Sequence, residues 1–285
     1  MPKTKNLIIG ANSFLSRAIS QQLLAAGEEV EGVIHRNTDK LLPNISYHKM
    51  EALTSLPNDY TQVYVVSAYI PKGNENSAEL QQRLYEANIQ LPQLVVQHFS
   101  RAKIIYASSV SVYAEQEEAL NEQSETKHLT AYGSSKLWGE AAIKTASQYA
   151  IVRISSMYGE GMNTSTFLPR MIQQALQEQM LKVWGDGSRA QNYIAVQDVA
   201  RYMIAAAQYA SNGIYLGVDT CSYTNLEIAQ IIQQYTNCAL EYTGVDNSHS
   251  YYYDNQKTQQ QLNFKPTNTL AHHIESLIEW NKKKY

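Results

Sequence analysis

The chain has 285 residues, enough for one large domain or a large one with a smaller partner. Hydrophobic residues make up 44% and charged residues 17%, a balance that excludes a disordered chain. The net charge is −3 and lysines cluster only at Lys282, Lys283 and Lys284, so nucleic acid is not an expected partner. The opening Met1-Pro2-Lys3-Thr4-Lys5-Asn6 runs straight into apolar Leu7-Ile8-Ile9 with no targeting segment. No apolar run approaches the ~18 residues of a membrane span, so no membrane partner is expected. The two cysteines, Cys221 and Cys238, form no C-x-x-C pair, which fits a reduced, cytoplasmic protein. The seven histidines show no ligand spacing, adjacent His272 and His273 facing different sides of a helix, and no metal site is expected.

In chain order, short apolar runs at 7–9, 30–34, 63–66, 103–106 and 151–153 read as strands. Helical spacing of apolar residues marks 14–26, 79–99 and 134–147 between them. This alternation predicts an α/β fold, a doubly wound parallel sheet with helices on both faces. Beyond about Tyr158, strands at 181–184 and 213–216 are outnumbered by helices at 167–179, 197–209, 225–235 and 270–280. The expected division is a sheet domain over 1–158 and a smaller, mostly helical substrate region over 159–285, with roughly 190–217 returning to the sheet. Ligands of such sheets bind beyond the carboxyl ends of the strands.

Gly10-Ala11-Asn12-Ser13-Phe14-Leu15-Ser16 follows the first strand and opens a helix, where unpaired N–H groups attract a dinucleotide's pyrophosphate. Only Gly10 supplies a glycine; Ser13 and Ser16 stand where others would serve, small enough to pack and able to donate hydroxyls. An ordinary strand-to-helix turn is the alternative. Ser67 and Ala68, just past the strand at 63–66, join Gly10, Asn12, Ser13, Phe14 and Leu15 as cofactor-binding candidates. The second strand ends His35-Arg36-Asn37; an arginine there accommodates a 2′-phosphate, so NADP is favoured over NAD, against a plain surface arginine.

Ala131-Tyr132-Gly133-Ser134-Ser135-Lys136-Leu137 puts Tyr132 and Lys136 on one helix face. A phenol of pKa ~10 exchanges protons poorly at neutral pH. A lysine ammonium ~5 Å away favours the phenolate by about 3 kcal/mol at an effective dielectric of ~20. The same lysine suits a cofactor ribose. Upstream, Lys103-Ile104-Ile105-Tyr106-Ala107 empties into Ser108, Ser109 and Ser111, where a hydroxyl at the sheet's carboxyl edge could bond a reacting carbonyl; an ordinary turn is the alternative.

With these stretches the sequence resembles the extended short-chain dehydrogenase/reductase family, also called the NAD-dependent epimerase/dehydratase family, over nearly its whole length. Further blocks carry the resemblance: Asn88; Val152-Arg153-Ile154-Ser155-Ser156-Met157-Tyr158-Gly159, like R-x-x-N-x-Y-G; Trp184-Gly185-Asp186-Gly187-Ser188; Tyr193-Ile194-Ala195-Val196-Gln197-Asp198-Val199-Ala200; and Asp254, Lys257, Leu262, Phe264, Pro266 and Trp280 in the tail. The resemblance implies a Rossmann-type fold, Tyr132 as acid/base, Lys136 as its activator and cofactor ligand, and Ser109, three residues before Val112, as the carbonyl-binding hydroxyl. It makes Asn88 a cofactor-side residue, Ser111 the reserve serine and substrate contact, and a homodimer through the helices at 79–99 and 134–147 the expected assembly.

Departures narrow the reaction. Val110-Ser111 stand where the family's dehydratases carry Asp-Glu, so elimination lacks its acid and base. Gln191-Asn192 replace the Arg-Asp whose arginine grips a nucleotide-sugar diphosphate, leaving Arg189 and Arg170 as possible substitutes and Gln191 as a neutral contact. Met50-Glu51 stand where an acidic adenine contact is usual. The leading expectation is a ketoreductase of a sugar, plausibly nucleotide-linked. Its alternatives are a nucleotide-sugar 4-epimerase with tightly held NAD and a cofactor-binding sensor or scaffold without turnover. Trp138, Trp184 and Tyr251-Tyr252-Tyr253 are read as packing or surface residues ahead of a sugar site.

Overall fold

The structure is a computed structural model that describes residues 3–71, 77–127 and 130–283; Met1 and Pro2 of the opening segment and Lys284 of the lysine run lie outside the described residues. Its strands are β1 (Lys5–Ile9), β2 (Glu29–Ile34), β3 (Ser46–Lys49), β4 (Gln62–Val65), β5 (Lys103–Ser109), β6 (Tyr149–Ile154), β7 (Ser156–Tyr158), β8 (Met180–Trp184), β9 (Ala190–Ala195), β10 (Gly213–Gly217), β11 (Ser222–Thr224) and β12 (Ala239–Thr243). The longer helices are α1 (Phe14–Ala25), α2 (Ser77–Tyr85), α3 (Leu91–His98), α4 (Ala131–Ile143), α5 (Phe167–Glu178), α6 (Val196–Gln208), α7 (Asn225–Thr236), α8 (Gln256–Leu262) and α9 (Leu270–Lys282).

Seven strands form one parallel sheet in the order β10-β6-β5-β4-β1-β2-β3. The order reverses between β1 and β4, and a crevice opens there at the carboxyl ends. Apolar residues run continuously along the central strands because both faces are covered. Ile8, Tyr64, Ile105 and Val152 pack under α1 and α6, while Leu7, Val63, Ile104 and Tyr106 pack under α3 and α4. A second core of Leu168, Ile172, Leu181, Ile228, Ile274 and Ile278 binds α5, α7 and α9 to two small sheets, β11-β9-β7 and β12-β8. No helix among the described residues is long and apolar enough to cross a membrane.

Two differences from the expected elements bear on the site. The helix expected at 79–99 is α2 and α3 joined by a π-helical turn, Glu86–Gln90. Pro92 has no N–H to return to the Asn88 carbonyl; the Tyr106 hydroxyl, 3.5 Å away, donates to it instead. The widened turn aims the Asn88 side chain at the sheet edge. α4 also begins three residues earlier than expected, because Thr130 caps it: its Oγ1 accepts from the Gly133 N–H at 3.1 Å. Tyr132 therefore stands in the first helical turn. The three- and four-residue strands β3, β7 and β11 lack enough length to show a period.

α4 lies unusually close to β5 and the π turn because Gly139 has no side chain. A Cβ there would run into the Tyr106 hydroxyl and sit 2.5 Å from the Asn88 carbonyl oxygen. Gly139→Ala should cost about 1–3 kcal/mol through overpacking, despite alanine's better helix propensity. Urea unfolding checks this; an unchanged midpoint would show that α4 has room to spare.

Candidate active site

The loop after β1 forms the floor of the crevice. Gly10 adopts a left-handed φ of +85°, and a Cβ there would stand 2.8 Å from the Ser67 nitrogen. Its N–H and that of Ala11 bond the Val33 carbonyl, at 2.9 and 3.0 Å, tying the loop to β2. The backbone N–H groups of Asn12, Phe14 and Leu15 find no acceptor among the described residues. Three free donors at the start of α1 fit a pyrophosphate. Ser67 and Ala68 stand opposite Gly10 at the end of β4, and Arg36 is exposed at the end of β2.

Two cofactor candidates are corrected. The Ser13 hydroxyl is committed to capping α1: it accepts from the Ser16 N–H at 3.2 Å and bonds the buried Ser16 hydroxyl, which also bonds the Gly10 carbonyl. The third glycine's place is thus filled by a serine that closes the turn internally. Asn88 is fully buried, and its amide is spent within the protein. Its oxygen accepts from the Tyr69 N–H at 2.8 Å; its nitrogen donates to the Tyr69 carbonyl at 3.0 Å and to Ser135 Oγ at 2.9 Å. Asn88 therefore holds the segment around Tyr69 against α4, with both of its N–H donors spent within the protein.

Tyr132, Ser109 and Lys136 converge where β5 meets α4. Ser109 caps the short 3-10 turn Val110–Val112, accepting from the Ser111 N–H at 3.1 Å and donating to Ser111 Oγ at 3.1 Å. Burial raises the Tyr132 phenol above its ordinary pKa, and the nearby Ser109 hydroxyl pulls it part of the way back. The expected ammonium effect on Tyr132 is absent from the protein alone. Lys136 is buried, donates to the Ala107 carbonyl at 2.6 Å and lies 4.0 Å from the centre of the Tyr106 ring. Burial lowers its pKa to about 7, with Glu140 opposing the fall.

Glu140 carries chemistry that the sequence reading passed over. It is fully buried, accepts from Ser108 Oγ at 2.6 Å, and receives a two-pronged bond from Arg153 on β6, Nε at 2.9 Å and Nη2 at 2.7 Å. Removing one partner of such a buried pair typically costs about 3–5 kcal/mol. Its i+4 spacing from Lys136 was the available signal.

Beside this centre opens a cavity of about 640 Å³, within the size range of small-molecule sites. Ser111 and Thr130, each two residues from Ser109 or Tyr132, line it, as do Gln191, Arg189, Lys127 and Glu115. Tyr251 and Tyr253 also form its wall, so these two are not mere packing or surface residues. Trp138 and Trp184 are exposed elsewhere. Arg170 is exposed on α5 and is not among the residues that line this cavity.

Residues 6–216 match the family model described as the NAD dependent epimerase/dehydratase family. The UDP-N-acetyl-alpha-D-glucosaminuronate decarboxylase of Bacillus cytotoxicus is 26% identical over 266 aligned positions, covering 82% of this chain and 81% of that protein. The UDP-glucuronate 4-epimerase of Thermodesulfobacterium geofontis is 23% identical over 311 aligned positions, covering 97% and 96%. The fold matches that of a UDP-glucuronic acid 4-epimerase from Bacillus cereus, solved in complex with UDP-glucuronic acid and NAD. The TM-score is 0.86 at 21% identity, covering 99% of this chain and all of that one.

The buried lysine gives a pH signature. Between pH about 7 and its ordinary 10.5, the unfolded chain holds a proton that folded Lys136 has released, so this group's contribution to stability rises with pH in that window. Lys136→Met should remove a slope approaching ~1.4 kcal/mol per pH unit. Denaturant unfolding of both proteins at pH 6–10 checks this; parallel stability curves would contradict it.

Proposed function

The chain belongs to the NAD-dependent epimerase/dehydratase family, and on that premise we propose that it is a nucleotide-sugar 4-epimerase that uses NAD. The observation that carries the reading is the Tyr132–Ser109 hydroxyl pair at the edge of a cavity roomy enough for a sugar to turn. NAD supplies the means to take a hydride from a sugar carbon and give it back. The three free N–H groups opening α1 would hold its pyrophosphate, and Lys136, one turn beyond Tyr132, would hold its ribose. Tyr132 would draw the proton from the sugar hydroxyl and later return it, while Ser109 would bond the oxygen throughout. Val110 and Ser111 provide no acid and base for elimination, so dehydration is not part of the proposal.

The two 4-epimerases named above favour this isomerisation over the ketoreductase reading. NAD is preferred to NADP because a structural relative is solved with NAD; exposed Arg36 alone does not outweigh it. A homodimer is proposed through α3 and α4, whose outer faces expose Leu94 and Trp138, with Trp138, Val96 and Ala141 lining a hollow of about 230 Å³. The test is conversion of UDP-hexoses and UDP-hexuronates to their 4-epimers, followed by NMR without added reductant. Tyr132→Phe should lower turnover ~10²–10⁴-fold while leaving NAD affinity nearly intact. Consumption of one NADH per product would restore the ketoreductase, and binding without turnover would restore the sensor.

Arg189 is the proposed grip on the substrate's diphosphate. Positions 189 and 191 share one face of the β9 strand direction, ~7 Å apart, so an arginine two residues early reaches the same cavity. The one hydrogen bond of its side chain among the described residues is a 3.5 Å contact from Nε to the His249 carbonyl, leaving most of its donors available. Arg189→Ala should weaken UDP binding ~10–100-fold in calorimetry, and adding Gln191→Arg should restore much of it. Unchanged UDP affinity in Arg189→Ala would exclude it from the site.

A further inference from the structure

We propose that Glu140 and Arg153 are positioning residues that set whether Lys136 carries its proton. The consequence for the reaction rests on the epimerase reading above; the effect on Lys136 does not.

Lys136 is 1% exposed, so its charge is decided by neighbours rather than solvent. Ala107 provides one carbonyl and Tyr106 a ring face. The titratable groups facing it are Tyr106 from β5, and Tyr132 and Glu140 one turn back and one turn ahead on α4. Asn88 from the π turn is neutral. On the outer side of α4, Glu79 and Arg83 pair with each other at the surface, and the His98 ring bonds the Leu56 carbonyl. Glu140 is therefore the anion that supports the ammonium. Its charge is divided, because both its oxygens are held by Arg153, which stays protonated at all working pH values. With Lys136 protonated the buried trio carries a net positive charge; with Lys136 neutral it carries none. Glu140 favours the proton and Arg153 opposes it.

Two further contacts argue against a purely structural pair. An apolar pair of similar volume would hold α4 to β6 equally well. Glu140 is instead fixed from a third side by Ser108, next to Ser109, and the Arg153 guanidinium lies 4.7 Å from the ring centre of Tyr113, a wall of the cavity. The ion pair thus touches Ser108, beside Ser109, and Tyr113, a wall of the cavity, and its carboxylate stands one helical turn from Lys136.

The test is an NMR titration of the full-length protein labelled with ¹³Cε-lysine, the Lys136 signal being the one missing from Lys136→Met. E140Q should move the Lys136 midpoint to lower pH by about one unit or more. E140Q/R153M should fall between E140Q and the wild type, because the carboxylate is the nearer of the two charges removed. If E140Q does not fold with Arg153 unpaired, the double variant carries the test, with a midpoint below the wild type. The pH profile of kcat/KM should move in the same direction, which lost packing alone would not produce. A wild-type midpoint in either folded variant overturns the proposal. Failure of the epimerase assay leaves the NMR result readable.

Discussion

The site depends on one buried ammonium. Lys136 enters the sheet edge because Gly139 lets α4 approach β5, and once inside it has only the Ala107 carbonyl, the Tyr106 ring and Glu140 to offset the loss of water. A charge so nearly balanced against its desolvation is sensitive to what binds beside it. Bringing Lys136 inward also sets Tyr132, one turn earlier on α4, beside Ser109.

The surrounding structure serves that arrangement from three directions. Asn88, released from regular helix by Pro92, pins the segment after β4 and the start of α4 at once. The capped turn after β1 leaves three donors free and closes the rest internally. The excursion between β5 and α4 is bound to the segment before α8 by Leu120, whose N–H and carbonyl bond Tyr252 and Asp254 at 2.8 Å each. These two segments contribute Glu115, Lys127, Tyr251 and Tyr253 to one cavity, which joins distant parts of the chain around the reacting edge.

Much of this was legible in the sequence because it depends on local pattern. The alternating strands and helices, the loop after β1 and the Tyr132/Lys136 spacing follow from short-range periodicity. What escaped depends on contacts between elements. The buried state of Lys136 cannot be read from its spacing, and the electrostatic help expected for Tyr132 assumed a solvated ammonium. Asn88 looked like a cofactor residue until its amide was seen to be saturated, and Ser13 until its hydroxyl was seen to cap α1. Glu140 stood four residues from Lys136 in plain view, but its meaning required Arg153 of β6. Arg189 and Arg170 were equivalent until the segment before β9 placed one on the cavity wall and α5 left the other exposed.

The central claim is that a sugar carbon is oxidised and reduced again inside one closed site, with Tyr132 keeping the proton at hand. A UDP-hexose carrying deuterium at C4, incubated with the enzyme in ordinary water, tests it most directly. The account predicts that the 4-epimer retains its deuterium at C4 by mass spectrometry and NMR. Loss of the label to solvent or to a free nicotinamide pool during epimerisation would contradict it.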